Sequence, residues 1–307
     1  MNHIYGPVPS RRLGLSLGLD IIPYKTCSFN CIYCQLGRTI KKTIERKEYV
    51  EVDEIINELK NTLSLNQKIE YITFSGSGEP TLNIGIGKMI KRIKSITNIP
   101  VVVLTNSSLL FYDDVRKDLL NADVIVPSLD AGTEKTFKKI NRPHNLIKFD
   151  KIIEGLEKLR KEYKNKIWLE IMLVKGINDN INELKELIHI VNTLQPDKVH
   201  LNTPVRPPAE KFVKPLSLHE LNKIKKIIGK CEIISSYHKN DKIYEDKIQK
   251  NIKNKILEIV KRRPVTINDI SNSLGINESI AIKYVLELKK ENKIGKKKYK
   301  NCIFFYV

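Results

Sequence analysis

Lys25-Thr26-Cys27-Ser28-Phe29-Asn30-Cys31-Ile32-Tyr33-Cys34 places three cysteines within eight residues, in the spacing C-x3-C-x2-C. Iron–sulfur clusters are held by thiolates, and a four-iron cube normally takes four of them. Three thiolates on one loop therefore leave one iron open, and an open metal position is where a substrate binds. A structural zinc site is the alternative. It needs a fourth ligand, usually from a second paired half. No second half is visible, and His3 and His144 are poorly placed to serve. The other two of the five cysteines, Cys231 and Cys302, are isolated and read as small apolar residues. An odd total argues against a disulfide framework.

Outward from this loop, the 307-residue chain is 41 % hydrophobic, enough for a packed core and against disorder. No apolar run reaches the length of about 18 residues expected of a membrane span. The opening MNHIYGPVPSRR lacks the apolar stretch of a secretory signal. The expected setting is cytoplasmic, with no membrane partner. The net charge is +19, which fits either a polyanionic partner or a composition rich in Lys, Ile and Asn throughout. Residues 250–307 carry 14 basic and five acidic side chains, about half of the excess.

Nearly continuous apolar runs at residues 18–22, 69–75, 101–105, 124–128, 167–173 and 198–202 read as strands covered on both faces. Amphipathic helices are expected near residues 53–64, 84–96, 112–121, 148–162, 182–194 and 218–229; Ile152, Ile153, Leu156 and Leu159 make one such stripe. Six βα units imply a parallel sheet with right-handed crossovers and a site at the C-terminal strand ends. Residues 235–249 read as a linker. Beyond it, Ile252, Ile256, Ile259 and Val260 mark a helix that stops before Pro264. Thr266 caps a second helix, with Asp269 three residues on and Gly275 at its end. Asn277 begins a third. Residues 294–299 and 302–306, joined by Lys300 and Asn301, read as a β-hairpin. Together these make a winged helix–turn–helix pattern.

The cysteine motif, with aromatic Tyr33 before its last member, resembles the signature of the radical SAM superfamily. The resemblance runs over roughly residues 5–230. Ser75-Gly76-Ser77-Gly78-Glu79-Pro80-Thr81, after the second strand, resembles the family's GGE-type motif. Thr105-Asn106 resembles its T-N-G segment with Ser107 in place of Gly, and Ser128-Leu129-Asp130 its S-[LI]-D segment. The resemblance implies an α/β fold: a partial (β/α)6 TIM-type barrel over residues 1–234, followed by the small winged helix–turn–helix domain at 250–307. It implies one [4Fe–4S] cluster on Cys27, Cys31 and Cys34. It implies S-adenosylmethionine bound by Tyr33, Gly76, Gly78, Glu79, Asn106, Ser128 and Asp130. In such enzymes an electron from the cluster cleaves S-adenosylmethionine to methionine and a 5′-deoxyadenosyl radical, which abstracts hydrogen from the substrate. The cofactors carry that chemistry. A low-potential donor such as ferredoxin or flavodoxin is implied, and no separate catalytic side chain is assigned.

Gly6-Pro7-Val8-Pro9-Ser10-Arg11-Arg12-Leu13-Gly14 and His200-Leu201-Asn202-Thr203-Pro204-Val205-Arg206-Pro207-Pro208 are similar to the branch related to tRNA wybutosine-synthesising proteins. Archaeal wyosine synthases carry extra upstream cysteines for a second cluster. No cysteine precedes Cys27 here, so one cluster is expected and the wyosine activity is not carried over. Arg11, Arg12, Arg206 and Lys175 are expected at the mouth, either binding a carboxylate or phosphate or forming a solvated rim. His144 is either a proton carrier or a structural residue. Lys289, Lys290, Lys293, Lys296, Lys297 and Lys298 suit phosphate backbones or, alternatively, a protein-docking face. Two classes of function follow: a radical enzyme, with an RNA base, a protein or a small molecule as substrate, or a cluster-gated DNA-binding regulator.

Overall fold

The computed structural model describes residues 3–65, 67–234, 252–276, 278–300 and 302–307. The expected linker at 235–249 lies outside them, as do Asn277 and Asn301. In chain order the elements are β1 (Ile4–Ser10), β2 (Gly14–Leu19), β3 (Thr26–Cys27), β4 (Lys41–Lys42), α1 (Val52–Leu63), β5 (Tyr71–Phe74), α2 (Ile86–Ile96), β6 (Val101–Thr105), α3 (Asp113–Leu119), β7 (Val124–Pro127), α4 (Glu134–Asn141), α5 (Phe149–Glu162), β8 (Lys166–Met172), α6 (Ile181–Leu194), β9 (Lys198–Asn202), α7 (Leu218–Ile228) and β10 (Glu232–Ile233). Then come α8 (Ile252–Arg262), α9 (Ile267–Leu274), α10 (Glu278–Lys290), β11 (Gly295–Tyr299) and β12 (Cys302–Tyr306).

The main sheet runs β1-β2-β5-β6-β7-β8-β9-β10. The six strands expected from sequence are all present and lie side by side in chain order, every pair parallel. Two edge strands were not anticipated. β1 contains two prolines and pairs antiparallel with β2; proline lacks the ladder donor and is tolerated only at such an edge. β10 is two residues long. The first parallel strand ends at Leu19 rather than Ile22, which brings Asp20 to the strand end. α4 was also missed: in its eight residues only Phe137 and Ile140 form an apolar stripe.

The sheet is strongly curled. Neighbouring strands lie roughly 4.8 Å apart, so β2 and β9 in a flat sheet would be about 24 Å apart. Yet Arg11, just before β2, donates to Asn202 Oδ1 on β9 at 2.9 Å, and Arg12 pairs with Glu170 on β8. Leu13 shares an inner apolar cluster with Val102, Val124, Val126 and Trp168. The outer face is covered by helices in one large core that includes Leu17, Phe74, Met89, Leu110 and Leu187.

The elements after residue 251 follow the sequence reading closely. α8 ends before Pro264, Thr266 and Asp269 form a capping box, and Gly275 closes α9 in the left-handed region at φ 65°. Their own core joins Ile256, Ile259, Ile270, Val285, Leu288 and Phe305, and it also takes Val8 of β1. This part is therefore packed on the sheet edge.

Glu183 of α6 links the fold to the strand ends. Its buried carboxylate accepts from the Gly132 and Thr133 N–H groups and from the Thr133 and Thr136 hydroxyls at the start of α4. An anionic acceptor there satisfies free helix N–H groups and the helix dipole. Replacing Glu183 with Ala is expected to destabilise the protein by about 3 kcal/mol. Denaturant unfolding measures this, and an unchanged midpoint would contradict the assignment.

Candidate functional site

The cysteine loop leaves β2 and crosses the C-terminal strand ends. The short β3/β4 ladder, Thr26 with Lys41 and Cys27 with Lys42, clamps its two ends. Phe29 and Ile32 anchor its middle: both are buried, Phe29 packs edge-on against Phe137 at 5.4 Å, and Ile32 N–H donates to Ile140 O at 3.0 Å. With the loop held in this way, Cys27, Cys31 and Cys34 all line one cavity of about 360 Å³. All three are free thiols.

The same cavity is also lined by Tyr33, Gly76, Gly78, Glu79, Asn106 and Ser128. Of the residues expected to hold the cluster or S-adenosylmethionine, only Asp130 is absent from the lining. It lies buried behind Tyr33, whose hydroxyl donates to it, and it also accepts from Asn141 Nδ2 at 2.8 Å and Met172 N–H at 2.9 Å. Gly78 is required by contact, since a Cβ there would sit 1.8 Å from Thr26 O. Ser107, where the resemblance expects Gly, does adopt the left-handed φ of 69°. Its hydroxyl donates to Ser128 O at 2.8 Å and its N–H to Thr105 Oγ1 at 3.2 Å.

Glu79 is buried with its carboxylate engaged: Oε1 accepts from the Thr81 and Thr105 hydroxyls, each at 2.7 Å, and Oε2 from Asn106 N–H at 2.7 Å. Burial pushes its carboxyl above the usual range despite these donors. Asn106 Nδ2 stands 3.4 Å from Cys27 Sγ, and Asn141 Nδ2 stands 3.5 Å from Cys31 Sγ. Burial, with Glu79 nearby, pushes the Cys27 thiol up to about 12. Burial and Asp130 push Cys31 up, and burial raises Cys34. A cationic metal centre is one environment that stabilises the thiolate form of such buried thiols. Among the described residues no three His, Cys, Asp or Glu side chains converge as around a single ion. A cube presents its irons at separate corners, so it takes its thiolates from spread positions. Three free thiols on one wall, two with neutral amide donors beside the sulfur, fit such a cluster.

The cavity lining is also cationic. Arg11, Arg12 and Arg206 line the cavity as expected, and so do Arg262 and Arg263 from the end of α8. Arg12 pairs with buried Glu170, and Arg262 with Asp20, whose other oxygen accepts from Ser77 N–H at 3.0 Å. Burial raises Glu170, but Arg12, Asn202 and Arg11 outweigh it and leave the carboxyl below its usual range. Lys175 does not belong here: it is exposed and pairs with Glu220 at 2.6 Å, because the loop after β8 folds towards α7. His144 is also outside the lining; its backbone N–H donates to Ser28 O at 2.8 Å and its ring accepts from Leu146 N–H. Cys231 is buried as expected, whereas Cys302 is exposed on β12. Sequence reasoning missed Asp20, Asn141, Glu170, Arg262 and Arg263. The Arg262-Arg263-Pro264 run, where a helix must stop with two cations at its end, was the one available signal.

Residues 21–188 match the Radical SAM superfamily. A UPF0026 protein of Methanocaldococcus jannaschii is 37% identical over 313 residues, covering 99% of this chain and 96% of that protein. A Brachyspira hyodysenteriae protein named GTPase Obg is 44% identical over 293 residues, 95% of this chain; the match spans 43% of that protein's length. Among solved structures, a radical SAM methyltransferase from Sphaerobacter thermophilus aligns with a TM-score of 0.54 at 16% identity, over 71% of this chain and 66% of that one. At that identity the likeness speaks for the fold alone. No described helix is long and apolar enough to cross a membrane. With its family match spanning the cysteine loop and the strand ends that face it, the chain belongs to the radical SAM superfamily and is a relative of the UPF0026 proteins.

Proposed function

We infer that this radical SAM enzyme carries one [4Fe–4S] cluster on Cys27, Cys31 and Cys34, binds S-adenosylmethionine beside it and acts on RNA. In this reading residues 1–234 form a partial (β/α)6 barrel, and residues 250–307 a winged helix–turn–helix. The observation that carries the reading is the shared cavity: three free thiols and Gly76, Gly78, Glu79, Asn106 and Ser128 border the same space. When bound, cluster and S-adenosylmethionine supply one-electron cleavage of a carbon–sulfur bond and hydrogen abstraction from a substrate. The chain's own task is positioning and exclusion of water. Gly76 and Gly78 admit a ligand close to the backbone. Asn106 and Asn141 donate towards two of the sulfurs. Tyr33 presents its ring to the cavity while Asp130 fixes its hydroxyl, so Asp130 is a positioning residue.

RNA is favoured by charge. Lys289, Lys290, Lys296, Lys297 and Lys298 are exposed on α10 and the hairpin, an array suited to phosphate backbones. The segments around Arg11 and Arg206, on which the likeness to wybutosine-related proteins rests, border the same cavity. Reducing electrons come from a donor of the ferredoxin or flavodoxin type.

Three outcomes are expected. First, the reduced, reconstituted protein converts S-adenosylmethionine to 5′-deoxyadenosine, and Cys31→Ala abolishes the cluster's visible absorbance. A fully coloured variant contradicts the ligand assignment, and cluster-dependent DNA binding without any turnover would favour a regulator. Second, mass spectrometry of tRNA nucleosides from a deletion strain shows a missing or altered base relative to wild type. An unchanged profile counts against tRNA as substrate.

The third outcome concerns Asp130. Burial raises its carboxyl to about 6, and the donors Tyr33, Asn141 and Met172 keep it from rising further. The folded value lies above the ordinary one, so ionisation is penalised in the folded state. The penalty is absent at low pH and fully developed above about pH 6. Asp130→Asn removes the titration. Relative to the variant, the wild type should lose about 1–2 kcal/mol of stability between about pH 5 and about pH 7.5. Denaturant unfolding at both values tests this, and a pH-independent difference refutes it.

A further inference from the structure

Five guanidinium groups line the cationic wall of the cavity: Arg11, Arg12, Arg206, Arg262 and Arg263. Three carboxylates meet them. Arg12 is taken by Glu170 and Arg262 by Asp20. Arg206 touches Asp269 only at 3.5 Å, and Asp269 Oδ2 is committed to the Thr266 N–H and hydroxyl as a helix cap. Arg11 donates to a neutral amide oxygen, Asn202 Oδ1. Neither Arg11 nor Arg263 has a carboxylate within ion-pair distance among the described residues. Arg12 Nε, Arg206 Nε and Arg263 Nη2 are buried without a hydrogen-bond partner.

Buried charge and unpaired buried donors are both costly. A purely structural ion-pair network would match each guanidinium to a carboxylate and leave no donors over. Among the described residues, two positive charges remain unmatched beside a cavity. Their mutual proximity is felt: burial, then Arg12, pulls Arg11 down to about 10, and burial, then Arg263, pulls Arg206 down to about 9. An arriving anion relieves both the repulsion and the unmet donors.

We propose that Arg11, Arg206 and Arg263 form a subsite for a phosphate group of the substrate, completed only when the C-terminal part of the chain is docked. The donors come from three separate segments: the turn before β2, the loop after β9 and the end of α8. A planar carboxylate offers two oxygens in one plane. A phosphate offers non-bridging oxygens in several directions and up to two negative charges, and the guanidinium fork matches it. Arg263 is held at the mouth because Pro264 ends α8 there. The subsite rests on the reading of this cavity as the active site and narrows its substrate to a phosphate-bearing one, whether a free nucleotide or a unit of an RNA chain.

Calorimetric titration of the cluster-loaded protein, with S-adenosylmethionine present, tests this using inorganic phosphate, a nucleoside 5′-monophosphate and the matching nucleoside. The wild type should bind the monophosphate and bind the bare nucleoside at least about tenfold more weakly. Arg206→Gln and Arg263→Gln should each lose about tenfold to a hundredfold in affinity for the monophosphate. Cluster absorbance and S-adenosylmethionine affinity should stay unchanged, which also reports that the variants fold. Lys175→Gln, outside the cavity, should bind as wild type. Equal binding with and without the phosphate, or variants that bind like wild type, overturns the subsite. A short RNA that displaces the monophosphate identifies a polymer as the phosphate source, and failure to displace it identifies a free nucleotide. Loss of S-adenosylmethionine cleavage with phosphate binding intact would instead sink the enzymatic reading and leave the subsite standing.

Discussion

A single buried carboxylate, that of Asp130, ties together three separate segments around the cysteine loop. It accepts from Tyr33 in the cysteine loop, from Asn141 at the end of α4 and from Met172 at the end of β8. A carboxylate removed from water is tolerated only when such donors replace the lost hydration. The same device recurs around the strand ends. Asp20 ties the Gly76 loop, Glu79 joins the ends of β5 and β6, and Glu170 joins β8 to Arg12. Each carboxylate joins segments that are distant in sequence.

The cysteine loop shows how hydrophobic packing and polar chemistry divide the work. Phe29 and Ile32 alternate with the thiols and are buried against α4 and its neighbours. Their burial anchors the loop that carries the three sulfurs.

The C-terminal part belongs to the same site. Its core includes Val8, its Arg262 pairs with Asp20, and its Arg263 borders the cavity. Apolar contact with an edge strand holds it in position, and charge pairs at the mouth set its register. Residues of the main sheet and of the C-terminal part therefore border one cavity.

How much was legible follows from the range of each interaction. The cysteine spacing, the six apolar runs, the Thr266 capping box and the stop before Pro264 are local, set by neighbours a few residues apart, and the structure keeps them all. The ordered motifs at successive strand ends likewise pointed to one cavity, because parallel strands in chain order bring their C-terminal ends together. Whether the sheet would curl, so that Arg11 meets Asn202 across 191 positions of sequence, depended on packing of the inner face. That Lys175 would turn to Glu220 while Arg262 turned inward to Asp20 depended on which carboxylates lay within reach. By itself the sequence determined the clustered cysteines, the six parallel strands and the C-terminal helices. Only the tertiary structure decided which charges face the cavity, because long-range ion pairing and burial have no signature in local spacing.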